Sequence, residues 1–309
     1  MADSALPFDI SSLQSALDLW LLEGDYRCVS PNTQYARRYI IGELAKFCSD
    51  RNDQSIDGSC VRAFLADMKQ RRALKPASVH KYYTVLHAFF QFAVNEELAE
   101  SNPMAKLARP INRRDQIQPF SVQQQKKLIE YSQTTPNGLR DHAIVLLLLD
   151  SGLRAEELCR ARLSDFSLPS RSLRIRGKGD KVRIVYLGKR STKALVRYLH
   201  ERPTTDSDCL FVTLTGMTAR EPLTRSGLRQ LVRKIGVSAG ISGVRCSPHT
   251  CRHTFAINFL MNGANIFTLK ELLGHSTLAM VNNYVALAQV DLQAQHALYS
   301  PMDRLNVKR

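Results

Sequence analysis

The chain lacks a long apolar segment, an export signal and a regular pattern of cysteines. Its longest apolar run, residues 143–149, is far shorter than the ~20 residues that a membrane-spanning helix needs. No basic stretch followed by an apolar one opens the sequence, so we expect no secretion signal. The seven cysteines are odd in number and irregularly spaced, which favours reduced thiols over disulfides. These features predict a cytoplasmic protein without a membrane segment.

Acidic residues are few compared with basic ones. The 309 residues include 43 Lys and Arg against 28 Asp and Glu, which gives a formal net charge of +15. Such an excess favours a polyanionic partner, with nucleic acid as the first candidate, although a basic enzyme without such a partner would have the same composition. A G-x-x-x-x-G-K-[ST] phosphate loop is also absent, so the sequence indicates no nucleotide cofactor.

Helical patterns follow one another through the first third of the chain. Ser30 and Asp57 stand where helix N-caps are expected, Pro76 stands at a first helical position, and Gly24 is expected to end the first helix. Between these points, apolar residues recur at the spacing of one helical face. The sequence therefore predicts a bundle of four helices in this region.

Positive charges gather around the turn between the third and fourth of these helices. A charge cluster is usually a solvated surface, but the net charge favours contact with a DNA backbone here. Beyond the bundle, Pro103, Pro110 and Pro119 punctuate a basic segment without a periodic apolar face, which predicts a linker that is either a plain tether or a strap across DNA. The candidate DNA-binding residues are Arg37, Arg38, Lys69, Arg71, Arg72, Lys75 and Lys81 of the bundle and Arg113 and Arg114 of the linker.

The pattern changes after Ser121, where helices are mixed with a β-hairpin. Two runs of β-branched or alternating residues, 172–176 and 182–187, flank a Gly-Lys-Gly-Asp turn and predict antiparallel strands. Helices are predicted near residues 121–133, 138–150, 154–161, 191–201, 224–239, 249–261, 265–273 and 277–284. The predicted fold class is mainly α with a small β-sheet, in two domains.

An anion site is predicted where the helix that begins at Pro248 carries His249 and Arg252. Three residues apart, their side chains lie on one helical face near the N-terminus, where both reach a single phosphate. Arg154 follows a tight Ser-Gly-Leu turn, and Glu157, one helical turn later, is placed to brace its guanidinium. Taken alone, Arg154 reads equally well as a surface arginine in an ordinary ion pair.

Three further side chains are candidates for chemistry. Lys178 lies between glycines at the hairpin tip, where an ammonium can protonate a leaving oxygen, although Lys181 or Arg183 could take that part. His275 follows a glycine that is expected to end a helix, and Tyr284 follows two asparagines, so its hydroxyl is not expected to be simply packed away. Each of these residues is more often structural when it is considered by itself.

A zinc site is the competing interpretation of one segment. Cys246, His249, Cys251 and His253 are potential ligands, but the segment lacks the glutamate of an H-E-x-x-H site and its side chains point to different faces. We therefore interpret His253 and Cys251 as core or supporting groups, and we expect no metal site here.

Taken together and in chain order, the motifs around these candidate residues resemble those of the tyrosine recombinase (phage integrase) family, and of its Xer-like two-domain members in particular. The resemblance covers essentially the whole chain. One departure is Asn282-Asn283 before the tyrosine, where many members carry a pair of threonines. The motifs are Ser151-Gly152-Leu153-Arg154, Gly177-Lys178-Gly179, His249-Thr250-Cys251-Arg252-His253, Leu272-Leu273-Gly274-His275 and Tyr284.

The resemblance implies a domain order and a set of roles. Residues 1–108 would be a SAM-like helical core-binding domain that binds DNA, 109–119 a linker, and 120–309 an α+β catalytic domain of the tyrosine recombinase type. Tyr284 would attack a DNA phosphate and leave a 3′-phosphotyrosine, and Lys178 would protonate the departing 5′ oxygen. The phosphate would be held and proton transfer assisted by Arg154, Arg252, His249 and His275.

The implied function is site-specific recombination of double-stranded DNA, in integration or excision of a mobile element or in dimer resolution, without a cofactor. A tetramer on DNA is expected, in which apolar tail positions dock on a neighbouring protomer, and the alternative is that this tail caps its own domain. These positions are Val285, Leu287, Val290, Leu292, Ala297 and Leu298. The alternatives are a catalytically inactive DNA-binding regulator and a type IB topoisomerase-like enzyme that nicks and closes DNA.

Overall fold

The computed structural model describes residues 8–111, 118–177, 181–216, 218–275, 277–288, 296 and 300–302. It divides into two compact units, Met1–Gln116 and Ile117–Arg309. Both are largely helical with small sheets, which confirms the predicted fold class. None of the described helices is long and apolar enough to cross a membrane. Some predictions lie outside the described residues, namely those for Arg113, Arg114, Lys178, Val290, Leu292, Ala297 and Leu298.

The first unit is a helical bundle with one short strand pair. Strand β1 (Phe8–Asp9) pairs antiparallel with β2 (Ser55–Ile56), a pair that the sequence did not predict. The expected caps are present, since Ser30 and Asp57 each accept a hydrogen bond from the backbone three residues on. The helices are α1 (Leu13–Tyr26), α2 (Pro31–Arg51), α3 (Gly58–Arg71) and α4 (Pro76–Asn95).

Gly24 does not end α1, contrary to the prediction. The helix continues for two residues to Tyr26, and the chain turns at Cys28, whose φ is 52°. A Cβ on Gly24 would lie 2.4 Å from the side chain of Gln34 in α2. A side chain here would displace the ends of Gln34 and Arg37, so the glycine leaves room for these two side chains rather than ending the helix.

The core of the first unit is rich in aromatic side chains. Trp20, Phe89 and Phe90 are at most 4% exposed. Phe89 packs edge to face against Trp20, Phe90 and Phe8, and Phe90 packs in the same way against Phe8. Met104 is fully buried in the same core, so the chain beyond α4 remains attached to this unit.

The second unit surrounds a central apolar helix. The elements are α5 (Val122–Gln133), α6 (Gly138–Ser151), α7 (Ala155–Arg160), β3 (Phe166–Ser167), β4 (Ser172–Arg176), β5 (Val182–Tyr186), α8 (Lys189–Glu201), α9 (Arg225–Ser238), α10 (Pro248–Met261), α11 (Ile266–Leu273) and α12 (Ala279–Ala288). Strands β4 and β5 form the predicted hairpin, with Arg176 opposite Val182, and β3 adds an unpredicted third antiparallel strand.

The end of α6 sets the position of the candidate site. Residues 143–148 of this helix are at most 5% exposed, and the helix packs against α5, α8 and α10. It ends at Gly152, whose φ of 62° is left-handed. A Cβ there would lie 2.4 Å from Phe255 in α10, so only glycine allows the turn to come this close. The turn brings the next residues, Leu153 and Arg154, beside α10.

Candidate active site

Arg252 is the buried centre of the site. Helix α10 starts as predicted, with Pro248 in its first turn and the Ser247 hydroxyl accepting from the Thr250 amide at 3.2 Å. Arg252 is 3% exposed. Its guanidinium donates to the carbonyl oxygens of Gly152 at 2.6 Å and Leu273 at 2.8 Å. Burial lowers the pKa of Arg252 to about 10, so the side chain is still cationic at neutral pH.

Arg154 is held by Glu157, as its spacing predicted. Glu157 accepts from the Arg154 backbone amide at 2.8 Å and from its guanidinium at 2.9 Å. A further bond, at 3.3 Å, runs from Arg154 to the carbonyl oxygen of Gly274. The Arg154 side chain is nevertheless 39% exposed. This geometry leaves a fixed guanidinium accessible to a phosphate from solution.

Arg183 completes a buried ion network that sequence reasoning missed. Its two terminal nitrogens each donate to a different carboxylate oxygen of Glu157 at 2.8 Å, and its Nε donates to the carbonyl oxygen of Leu272 at 2.9 Å. Burial alone would raise the pKa of Glu157, but the hydrogen bonds and charge of Arg183, aided by Arg154, lower it to about 2. Arg183 therefore connects β5, α7 and α11 around one carboxylate that is ionised at neutral pH.

Three histidines lie in this site, and His275 contacts the guanidinium of Arg252 directly. His249 is exposed, and its ring centroid lies 4.0 Å from that of His253. Burial, with the neighbouring charge of His249, lowers the pKa of His253 to about 4. Burial, with the charge of Arg252, likewise lowers the pKa of His275 to about 4. Both of these histidines are therefore neutral at physiological pH.

The protonation of His275 follows from its contact with Arg252. Its Nε2 lies 2.9 Å from an Arg252 nitrogen that can only donate, so Nε2 accepts and the ring proton is on Nδ1. Nδ1 is buried and has no hydrogen-bond partner among the described residues. An unpartnered buried donor is uncommon in native proteins, and catalytic sites are among the places where one occurs.

Tyr284 lies against these groups from α12. The residue is 3% exposed, and its hydroxyl is 2.8 Å from Nδ1 of His253, so it is hydrogen-bonded rather than simply packed away. The ring also lies over that of His275, with centroids 6.3 Å apart. Burial raises the pKa of Tyr284, and the charges of Arg252 and Arg154 act in the opposite direction. The contact with His253 was not predicted, since that histidine was interpreted as a core or supporting group.

The structure thus brings together five of the six predicted catalytic side chains. They come from the N-cap of α7, from α10, from the turn after α11 and from α12. The sixth, Lys178, lies outside the described residues. The five are Arg154, His249, Arg252, His275 and Tyr284.

The predicted DNA-binding residues of the first unit divide into two groups. Arg37 is partly buried, with its guanidinium 4.1 Å from the centroid of the Trp20 ring. Arg71 pairs with Asp67, and Arg72 pairs with Glu43. The remaining members are exposed, and the described part of the unit shows no ion pair for any of them. They are Arg38, Lys69, Lys75 and Lys81.

The described residues around Cys246, His249, Cys251 and His253, for which we considered a zinc site, do not form a cluster of metal ligands. Within the described ranges, one group of three His, Cys or acidic residues has its ligand atoms within 4.8 Å of one another. It consists of Cys48, Asp53 and Cys60 in the first unit and does not include Cys251. Cys251 is fully buried in the core of the second unit, and burial raises its pKa above the usual range.

Comparison with known proteins assigns this arrangement to a class. The phage integrase family model matches residues 119–290. Tyrosine recombinase XerD of Listeria monocytogenes serotype 4b (strain F2365) is 31% identical over 288 residues, covering 89% of this chain and 94% of the relative. Tyrosine recombinase XerD of Proteus mirabilis is 33% identical over 292 residues, covering 92% and 90%.

A solved structure shares the two-domain fold. The integrase of transposon Tn1549, in complex with a circular intermediate DNA, aligns with a TM-score of 0.74 at 19% identity and covers 94% of this chain and 99% of that one. Because the family model spans more than half of the chain and the relatives exceed 30% identity over most of it, the protein belongs to the phage integrase family, as its motifs indicated.

Proposed function

We propose that this protein is a site-specific DNA recombinase that breaks and rejoins DNA strands through a 3′-phosphotyrosine at Tyr284. One observation carries the proposal, namely the hydrogen-bonded hydroxyl of Tyr284 beside the buried cation of Arg252 and the accessible one of Arg154. A phenol and two fixed guanidinium groups in one site suit nucleophilic attack on a phosphodiester.

The cations stabilise the phosphate as it reacts. In phosphoryl transfer, negative charge spreads over the equatorial oxygens, and fixed donors aimed at them lower the barrier. Arg252 is fixed by backbone carbonyls and Arg154 by Glu157, so neither has to be ordered when DNA arrives. The free Nδ1–H of His275 supplies a further donor.

The proton of the nucleophile has an acceptor within the site. His253 is neutral at physiological pH, and with its ring proton on Nε2 its Nδ1 accepts the proton of Tyr284 as the tyrosine oxygen bonds to phosphorus. The bond from phosphorus to the 5′ oxygen breaks, and Lys178 donates its own proton to that oxygen, as the resemblance to the family implies. Religation reverses these steps, and the covalent bond conserves the energy of the phosphodiester.

Access to Tyr284 must change during the reaction. At 3% exposure the ring leaves too little surface for a phosphate to approach its hydroxyl in line. We therefore expect DNA binding to move α12 enough to uncover this hydroxyl. Proteolysis or hydrogen exchange in α12 that increases when DNA is added would support this step, and protection of α12 by DNA would contradict it.

The partner in this proposal is double-stranded DNA. Residues 1–108 serve as the core-binding domain, 109–119 as the linker and 120–309 as the catalytic domain, with the candidate basic residues of the first two contacting phosphates. The DNA-bound transposon integrase that shares the fold supports this assignment, as does the net charge of +15. Seven free thiols suit a reducing cytoplasm.

Covalent trapping tests the chemistry. The wild-type and Tyr284→Phe proteins are incubated in chelator with DNA from around the protein's own gene and then denatured. We expect a protein-linked strand, joined through a 3′ phosphate, with the wild type only. An adduct that persists in Tyr284→Phe would contradict the nucleophile. Joint molecules between two DNA sites distinguish recombination from nicking and closing, and binding without any adduct would favour a regulator.

Assembly into a tetramer is the finer part of the proposal, and it concerns the end of the chain. Because Ala288 is buried at the end of α12, the informative truncation removes residues 289–309 and leaves that helix intact. We expect the truncated protein to bind one DNA site normally and to lose strand exchange between two sites. Full recombination by this variant would contradict docking through the tail.

Whether the substrate is a replicon dimer or a mobile element is decided by the DNA site. The resemblance to Xer-like members implies dimer resolution, and the transposon integrase in complex with a circular intermediate DNA supports mobile-element integration or excision. Sequencing the strands trapped by the wild type, with the whole genome as substrate, would locate the site and separate these two roles.

A further inference from the structure

Two thiols and a carboxylate converge at one corner of the first unit. Cys48 lies near the end of α2, and Cys60 lies in the first turn of α3. Their sulfur atoms are 3.6 Å apart, and Sγ of Cys60 is 3.6 Å from Oδ2 of Asp53 in the intervening turn. All three ligand atoms lie within 4.8 Å of one another.

Local structure explains why Asp53 points back at the thiols. Asn52 adopts a left-handed conformation, with φ of 56°, and ends α2. The Asp53 amide then donates to the carbonyl oxygen of Cys48 at 3.0 Å, which returns the chain toward the helix. On the other side, the Asp57 cap fixes the amide of Cys60 at 2.7 Å. The group is therefore held by two helix ends rather than by a loose loop.

The spacing of these atoms fits a tetrahedral ion. Two thiolates bound to one zinc at about 2.3 Å lie roughly 3.8 Å apart, and a bound thiolate and carboxylate oxygen lie roughly 3.5 Å apart. The observed separations of 3.6 Å and 3.6 Å differ from these values by only a small fraction of an ångström. Cys48 Sγ and the Asp53 carboxylate lie within 4.8 Å of each other, so closing this third edge of the site is the adjustment that ion binding requires.

Charge and burial also fit. Two thiolates and one carboxylate around a divalent cation leave one negative charge, and Arg51 supplies the compensating positive charge through its contact with Oδ2 of Asp53 at 3.1 Å. Carboxylates that bind metals usually have such an outer partner. Cys48 is fully buried and Cys60 is 5% exposed, while the Asp53 side chain is 21% exposed and gives solvent a route to the fourth position.

We propose that Cys48, Asp53 and Cys60 form a binding site for a thiophilic divalent cation of the zinc class, with its fourth position open to water. The bound ion joins the end of α2 to the start of α3. Binding displaces the two thiol protons into solution, so affinity increases with pH. The site belongs to the first unit, and the proposed strand-transfer chemistry does not depend on it.

Cadmium titration of the full-length, metal-free protein tests the site. Cd²⁺ bound to thiolates gives an ultraviolet charge-transfer band, and competition with Zn²⁺ reports zinc affinity. We expect the band to saturate at one equivalent, and Cys48→Ser and Cys60→Ser to abolish it. Asp53→Asn keeps both thiols and should weaken binding by at least the roughly 10–100-fold that loss of an outer-shell partner costs, because it changes a direct ligand. Cys28→Ser is the matched control, since it removes an exposed thiol from the same unit.

Circular dichroism establishes whether each variant is folded. If loss of a buried thiol prevents folding, Asp53→Asn still tests the site, because it keeps both thiols. A band that Cys48→Ser and Asp53→Asn leave unchanged, or that Cys28→Ser removes, would overturn the proposal. Absence of any band at micromolar Cd²⁺ would do the same. Formation of a Cys48–Cys60 disulfide with hydroperoxide, in a protein that binds no Cd²⁺, would reassign the pair to redox chemistry.

Discussion

Cationic side chains in the two units carry the same charge in opposite surroundings. Arg252 in the second unit is 3% exposed and fixed by backbone carbonyls, whereas Lys69, Lys75 and Lys81 in the first are exposed and have no ion pair in the described residues. A fixed buried cation stabilises a transition state because it needs no reorganisation, while a solvated cation contributes affinity through counterion release. Substitutions in the two units should therefore affect different measurements.

The largest expected effect comes from the carboxylate that holds the arginines in place. Glu157→Gln leaves Arg183, whose side chain is 14% exposed, without its ionised partner, and breaking a buried pair in this way costs about 3–5 kcal/mol. Glu156→Gln is the matched control, because its side chain is 44% exposed and pairs only at the surface, where about 0–1 kcal/mol is expected. Urea unfolding measures both, and equal losses would contradict this difference.

The same substitution should change the acid sensitivity of the protein. The pKa of Glu157 in the folded chain is about 2, below the ordinary value of 4.5. Its contribution to the free energy of unfolding is therefore present above the ordinary pKa and is lost as the pH falls through the folded value. The acid slope below pH 4.5 should be shallower in Glu157→Gln than in Glu156→Gln.

The next largest effect is on the rate of DNA cleavage. Arg252→Lys keeps a cation but removes the fork that holds Gly152, Leu273 and His275 together, and loss of a preorganised donor slows cleavage by about 10²–10³. DNA affinity should change little, because a single phosphate contact is affected. Arg160→Lys, at a side chain that is 73% exposed in the same unit, is the control. Cleavage within tenfold of wild type in single-turnover assays would show that the fork is not needed.

His253 should show a smaller but separable effect. His253→Gln can still bond to Tyr284 but cannot take its proton, and loss of a general base slows cleavage by about 10². The folded pKa of about 4 lies below the ordinary 6.5, so the wild type loses stability as the pH falls between these values. His253→Gln should lose less stability than the wild type over the same pH range. A normal cleavage rate would contradict the proposed proton acceptor.

Local features of the site were predictable from sequence. Ser247 and Pro248 mark the start of α10, and a spacing of three residues places Glu157 beside Arg154. Gly152 and Gly274 stand at left-handed helix ends, where glycine is favoured. Each of these signals acts over one helical turn, so the chain itself determines the geometry.

Contacts between distant segments were not predictable in the same way. The bond between His253 and Tyr284 spans 31 residues, and no spacing rule specifies how α10 and α12 pack. The inward position of Arg183 could not be predicted from the residues of its strand. The apolar neighbours Val182 and Ile184 point outward, with 56% and 53% exposure, while the arginine points inward. The alternation of apolar and polar residues would instead predict that Val182 and Ile184 face the core and that Arg183 faces solvent. Burial of the arginine is explained by its partners in distant segments, Glu157, which lies 26 residues earlier, and the carbonyl oxygen of Leu272, which lies 89 residues later.

The smallest effects should come from the exposed lysines of the first unit. Each phosphate contact contributes about one unit to the slope of log affinity against log salt, so changing Lys69, Lys75 and Lys81 to alanine should reduce that slope by up to about three. The cleavage rate of bound DNA should be unchanged. Arg27→Ala is the control, because it removes a charge that pairs with Glu23 in the same unit. An unaltered slope in the triple variant would place the DNA-contacting cations elsewhere, and the contrast between the two units would then rest on Arg252 alone.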